Sequence, residues 1–209
     1  MKRISELWER RNKELEVLST DDLGFTESAP ISSGVISGGV EANTAINDAI
    51  YNVIIDKIGS LDGMNILEIG GGYGNLCRKI FHTSKIKSYT LLDTPVMTRL
   101  SVKFLRNWDV DCTFMTSDKL EQLYGKKFDL VISNICLSEL HPEYLLAIEE
   151  NIFPNCKKAF FIDGEYEGFT ERFAKARNVW ERCETSDAYP FCKVANQIFY
   201  ICGDNNTKN

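Results

Sequence analysis

The chain has no excess of basic charge: its net charge is −6 and its pI is about 5.1. A protein that wraps duplex nucleic acid needs a basic face to displace counterions, so that class is disfavoured, although a local basic patch stays compatible. No apolar run reaches membrane-spanning length, and the most apolar stretches, such as 159–162, are strand-sized. The first six residues, Met1-Lys2-Arg3-Ile4-Ser5-Glu6, lack the apolar core of a secretory signal. The seven cysteines (Cys77, Cys112, Cys136, Cys156, Cys183, Cys192, Cys202) are scattered, odd in number and never spaced C-x-x-C. Neither a disulfide framework nor a zinc site is suggested, so the chain reads as cytosolic and its cysteines as small buried apolar residues. Histidine is scarce, with only His82 and His141. No metal cluster is visible, although Asp163 and Glu165 stay open as an oxygen-rich pair, because carboxylate ligands need no diagnostic spacing.

What the chain does have is concentrated in residues 65–80. An apolar run of strand length, Ile66, Leu67 and Ile69, breaks into Gly70, Gly71, Gly72 and Gly74, then resumes with Leu76, Cys77 and Ile80 at helical spacing. Strand, glycine turn and helix open a nucleotide-binding α/β domain. Glycine lets the backbone turn tightly and approach a ligand, and the following helix offers unpaired N–H groups at its start. A dinucleotide fingerprint, G-x-G-x-x-G, fails because Asn75 stands at its third glycine. The pattern that is satisfied is acidic-x-Gly-x-Gly-x-Gly, made by Glu68, Gly70, Gly72 and Gly74.

A thin apolar stripe through 4–18 predicts an amphipathic helix, and the Ser/Gly-rich residues 19–39 predict loop. Together residues 1–40 form an N-terminal attachment, open as a lid or a homodimer contact. Residues 41–58 carry apolar side chains at i, i+3, i+4 spacing and predict a helix ended by Gly59. Strands are predicted at 66–69, 89–93, 111–115, 128–133 and 158–163, with two closing strands within 179–185 and 196–202. Helices fall between them: one opened by Thr94-Pro95, one opened by His141-Pro142 over 143–151, and one over 169–180. The main domain spans 41–203 and a polar tail follows at 204–209. This alternation predicts a mostly parallel sheet covered by helices on both faces. Asp93 ends the second strand 23 residues after Gly70, the place from which an acid accepts from the ribose hydroxyls of a nucleoside.

The Glu68–Gly74 pattern with Asp93 resembles motifs I and II of the class I S-adenosylmethionine-dependent methyltransferases. The resemblance covers about residues 41–202. It implies a Rossmann-like, seven-stranded sheet with one antiparallel strand near an edge, and S-adenosyl-L-methionine as cofactor, with S-adenosyl-L-homocysteine as product. Carried over residue by residue, it implies that Glu68, Gly70, Gly72 and Gly74 set the cofactor turn and that Asp93, with Thr94 beside it, takes the ribose. Ser117 and Asp118 fall beside the adenine, and Asn134, after the fourth strand, lines the methyl-transfer site. Asn134-Ile135-Cys136-Leu137 departs from the Asn-Pro-Pro-aromatic tetrad of methyltransferases that act on DNA bases or glutamine side chains. The stretch 89–105 and Leu137-Ser138-Glu139-Leu140 resemble the narrower sugar O-methyltransferase group, with Thr94 in place of that group's Leu.

The implied partner is a small-molecule acceptor, a sugar or glycoconjugate hydroxyl first. For a hydroxyl, the enzyme must align the acceptor and remove its proton. His141, on the loop after strand four, and Glu139 beside it are the base candidates. Asp163 and Glu165 are further ones, and an amine acceptor needs no strong base. The alternatives are a small-molecule N-methyltransferase, a nicotinamide-dependent oxidoreductase (disfavoured by Asn75), and a methyltransferase-fold scaffold that binds cofactor without turnover.

Overall fold

The computed structural model describes residues 39–134, 136–164, 184–185 and 197–201. The helices expected over 4–18 and 169–180, the loop through residue 38, Glu165 and the tail lie outside the described residues. Elements follow the predicted alternation: α1 Gly39–Ile58, β1 Asn65–Ile69, α2 Asn75–Thr83, β2 Ser88–Asp93, α3 Pro95–Arg106 and β3 Thr113–Thr116. The second half supplies β4 Phe128–Asn134, α4 Pro142–Asn151, β5 Cys156–Gly164, β6 Glu184–Thr185 and β7 Gln197–Ile201.

The sheet has seven strands in the order β3-β2-β1-β4-β5-β7-β6. β1 to β5 pair in parallel, while β7 runs antiparallel to both β5 and β6. The order reverses between β1 and β4, which places the crevice of an open α/β sheet at their carboxyl ends.

Successive residues of the central strands feed two separate cores, because side chains alternate across a sheet. Leu67, Ile69, Val131, Ala159 and Phe161 face Leu145 and Ile148 of α4. Ile66, Leu91, Leu130, Ile132, Phe160 and Ile162 face Ile50 and Ile54 of α1 and Leu76 and Ile80 of α2. Strands buried on both faces read as continuous apolar runs, which is why they are legible in the sequence. Each fully buried Leu, Ile or Phe contributes about 1.5–3 kcal/mol relative to exposure. The Lys79–Asp48 ion pair, 2.7 Å, ties α2 to α1 at the surface.

Local chemistry sets most boundaries. Gly59 adopts φ +90° and donates its N–H to Ile55 O at 3.0 Å, closing α1. Thr94 caps α3 by accepting from Met97 N, with Pro95 at the first helical position. β3 starts at Thr113 rather than 111, because the chain leaving α3 first turns through Asp109 at φ +50°. Val110 N then donates back to Leu105 O. After β3 the crossover is a 3-10 stretch, Ser117–Leu123, anchored by buried Leu120 and Leu123.

Candidate functional site

The glycine turn joins β1 to α2 and is fastened to β2 by Gly70 N–H donating to Leu92 O at 2.8 Å. Gly70, Gly72 and Gly74 adopt φ values of +76°, +59° and +96°, the left-handed region that glycine enters without a Cβ penalty. A Cβ on Gly70 would collide with the Cys136 side chain, which brings the loop after β4 against the turn. Gly71, which motif spacing does not single out, is required for another reason. A Cβ there would lie 2.8 Å from Glu68 Oε2 and 2.9 Å from Leu91 Cγ.

Glu68 therefore sits beneath the turn, 3% exposed on the apolar face shared with α1 and α2. Tyr89 donates its hydroxyl to Glu68 Oε2 at 2.8 Å. Burial pushes the carboxyl up to about 7, opposed by the Tyr89 bond and reinforced by the nearby charge of Asp93. Burial, with Glu68 alongside, also drives the Tyr89 phenol well above its ordinary value. The pair is a buried acid–phenol contact supporting the turn.

Asp93 stands at the end of β2, beside the turn. Its Oδ2 accepts from Gly72 N–H at 2.8 Å and its Oδ1 from Thr94 N–H at 2.6 Å. The residue keeps partial exposure, yet enclosure by protein raises its carboxyl to about 6, against the lowering effect of the Thr94 and Gly72 bonds. The Thr94 side chain bonds the carboxyl as well, and a carboxylate with three such bonds keeps acceptor capacity for a further donor.

Gly70, Gly72, Asp93 and Thr94 are thus brought together, and Thr116 pairs with Asp93 in the sheet, so Ser117 follows directly beside them. Ser117 is half-buried, and Asp118 is exposed at the start of the 3-10 stretch. Asn134 ends β4, and its Oδ1 is buried with no hydrogen-bond partner among the described residues. Glu139 is half-buried in the short 3-10 turn Leu137–Glu139, its N–H donating to Cys136 O at 2.9 Å. His141 is exposed at the start of α4, with Nδ1 4.0 Å from Glu143 Oε2. His82 is exposed in the last turn of α2, its ring edge-on to Phe81, away from the strand ends. Asp163 lies at the carboxyl end of β5.

Two hydroxyls on α3 belong to the same assembly and have no signature in the sequence. Ser101 Oγ donates to Gly72 O at 2.6 Å. Thr98 Oγ1 donates to Thr94 O at 2.9 Å. A depression of about 640 Å³ among the described residues lies elsewhere, lined by Asn65, Lys87, Phe128, Asp129, Cys156 and Lys157 at the amino ends of the strands. It belongs to the opposite end of the strands. Parallel-sheet ligands gather at the carboxyl ends, where the acids and glycines are.

The family model described as methyltransferase small domain matches residues 39–187, well over half of the chain. The chain belongs to that family. No curated protein matches the sequence. Solved structures share the fold at low identity. An N-methyltransferase, NodS, of Bradyrhizobium japonicum, in complex with S-adenosyl-L-homocysteine, is 13% identical with a TM-score of 0.61, over 93% of this chain and 98% of its own. Magnesium protoporphyrin IX methyltransferase of Synechocystis PCC 6803, with bound SAM, is 14% identical with a TM-score of 0.60, over 93% and 90%. A protein of Thermoplasma acidophilum is 17% identical with a TM-score of 0.56, over 81% and 100%. At these identities the likeness is one of fold alone.

Proposed function

We propose that the chain is an S-adenosylmethionine-dependent methyltransferase of a small-molecule acceptor, with a sugar or glycoside hydroxyl as the leading acceptor class. The observation that carries the cofactor half is the hydrogen bond between Gly72 and Asp93: a glycine turn at the carboxyl end of β1, with a strand-end acid held beside it. The donor and acceptor set fits the group. A Cβ on Gly72 would meet nothing within 4 Å, so the turn faces open space there. Asn134 Oδ1 is a buried acceptor without a partner among the described residues. Membership of the methyltransferase small domain family agrees, as do fold relatives that hold SAM or S-adenosyl-L-homocysteine.

When bound, this cofactor supplies a sulfonium-activated methyl group. The chain's own residues do the rest. Asp93, ionised, accepts from the ribose hydroxyls, with Thr94 fixing its second oxygen. Ser117 and Asp118 would hold the adenine, and Asn134 would line the methyl-transfer end. Glu68 stays under the turn as support for its backbone. For a hydroxyl acceptor, Glu139 or His141 removes the proton. The resemblance of 137–140 to sugar O-methyltransferases supports that acceptor class.

A second reading, an amine acceptor, is favoured by the setting of His141. It is exposed, and its Nδ1 lies 4.0 Å from Glu143 Oε2, too far for a hydrogen bond that orients a base. An amine needs only alignment.

Calorimetric titration with S-adenosyl-L-homocysteine, beside NADH and NADPH, on wild type and Asp93→Ala tests the cofactor. Binding of the homocysteine adduct alone, lost in the variant, is the expected result. Nicotinamide binding alone overturns it, and no binding of any of the three favours a scaffold. Labelled methyl transfer to sugars and to small amines then separates the acceptors.

A further inference from the structure

Ser133 follows Leu130, Val131 and Ile132 in β4 and, like them, is 0% exposed. A buried hydroxyl is costly unless it is hydrogen-bonded. Here it donates to Ile69 O, on β1, at 3.0 Å. That carbonyl belongs to the Ile69–Gly70 peptide, the same unit whose N–H donates to Leu92 O at 2.8 Å. Leu92 O in turn belongs to the Leu92–Asp93 peptide.

Ser133, Ile69 and Leu92 stand in one row across the sheet, the last paired row of β1. A continuous line of hydrogen bonds therefore runs from β4 through β1 to β2. It starts at the Ser133 hydroxyl, passes the peptide that opens the glycine turn and ends at the peptide that presents Asp93. Bonds in such a line polarise one another.

This row lies where the strand order reverses. α2, after β1, packs on one face of the sheet and α4, after β4, on the other, so neither helix spans both strand ends. The crevice thus has two halves. Gly70 N–H to Leu92 O and Gly72 N–H to Asp93 Oδ2 bind the glycine turn and the strand-end acid into one. The other begins at Asn134, directly after Ser133, with its buried and unpartnered Oδ1. The Ser133 hydroxyl ties the halves at the row where β1–β4 pairing ends.

We infer that Ser133 is a positioning residue for the cofactor site: its bond to the Ile69 carbonyl fixes the spacing between the glycine turn with Asp93 and the loop that begins at Asn134. This rests on the proposed function. Under that reading, adenosine engages the half on β1 and β2 alone. S-adenosyl-L-homocysteine, whose amino-acid tail reaches toward Asn134, engages both and needs their spacing.

The test is calorimetric titration of S-adenosyl-L-homocysteine into wild type, Ser133→Ala and Ser133→Cys, well below the melting temperature, with adenosine measured by its displacement of that ligand. Loss of one buried hydrogen bond corresponds to about 3–10-fold weaker binding of the homocysteine adduct by Ser133→Ala, with adenosine affinity unchanged. Ser133→Cys, similar in size with a weaker donor, falls between. A merely structural role lowers the melting temperature and leaves the ratio of the two affinities as in wild type. An unmoved ratio overturns the inference, whether both ligands bind as before or both weaken together. So does adenosine that fails to compete in wild type, since the half on β1 and β2 is then no site of its own. If Ser133→Ala does not fold, Ser133→Cys carries the same comparison. Failure of wild type to bind S-adenosyl-L-homocysteine at all overturns the proposed function itself, an outcome distinct from these.

Discussion

Tyr89 donates to Glu68 Oε2 at 2.8 Å, and a Cβ on Gly71 would lie at that same distance from the same oxygen. The glycine turn therefore rests on a buried carboxyl, and the charge of that carboxyl enters the stability of the turn.

Stability contributed by Glu68 falls as pH rises. Its carboxyl is raised from 4.5 to about 7 in the folded chain. Between those values the folded state holds a proton that the unfolded state has released, so stabilisation present below 4.5 is lost on passing through 7. Glu68→Gln removes this dependence and keeps an acceptor for Tyr89. Relative to wild type, the variant gains about 1–3 kcal/mol at pH 8 over its standing at pH 4. Urea denaturation at pH 4, 6 and 8 reads this directly, and a constant difference between the two proteins would rule it out.

Cofactor affinity has its own acid limit. Asp93 is raised to about 6, and only its ionised form offers every lone pair to ribose hydroxyls. Binding of S-adenosyl-L-homocysteine is expected to be flat from pH 7 to 8 and to weaken below about 6, by up to roughly tenfold per pH unit. Asp93→Ala binds at least about tenfold more weakly and loses the limb. A wild-type profile flat to pH 5 would contradict the role given to Asp93.

Two neighbouring glycines separate collision from conformation. Gly71→Ala drives a methyl into Glu68, which Tyr89 pins, and costs about 1–3 kcal/mol. Gly72→Asn meets open space, and asparagine tolerates the left-handed region, so it costs less than about 1 kcal/mol. Thermal melts that rank Gly72→Asn as the more damaging change would overturn this account of the turn.

The base candidates are distinguished by rate. With a hydroxyl acceptor, loss of the base lowers kcat by about 10²–10⁴ and leaves homocysteine-adduct affinity unchanged. Glu139→Gln and His141→Ala, assayed separately, identify which residue acts. Unchanged turnover in both is the outcome for an amine acceptor.

Legibility followed the range of the interactions. Gly70, Gly72, Gly74 and the acid at Asp93 announce themselves because a tight turn and a strand end are local events. Gly71 does not, since its requirement comes from Glu68, three residues before it on the packed face of β1. Ser101 reads as an ordinary helix-interior serine, and its meaning lies in a contact 29 residues away. β3 starts two residues later than its sequence pattern predicts, because Asp109, not a glycine, takes the left-handed turn after α3. The 3-10 stretch Ser117–Leu123 rests on Leu120 and Leu123, too few apolar positions to show a period.

The pairing of β5 bears on how the chain assembles. β5 carries Ala159, Phe160, Phe161 and Ile162, all 0% exposed, and its outer edge is paired by β7 more than thirty residues later. During synthesis that edge stands as an unsatisfied row of N–H and C=O groups on a strand whose central four residues are apolar. Such an edge recruits other chains. The closing strand thus acts as the guard against self-association, and the interval before residues 197–201 leave the ribosome is the chain's most aggregation-sensitive moment.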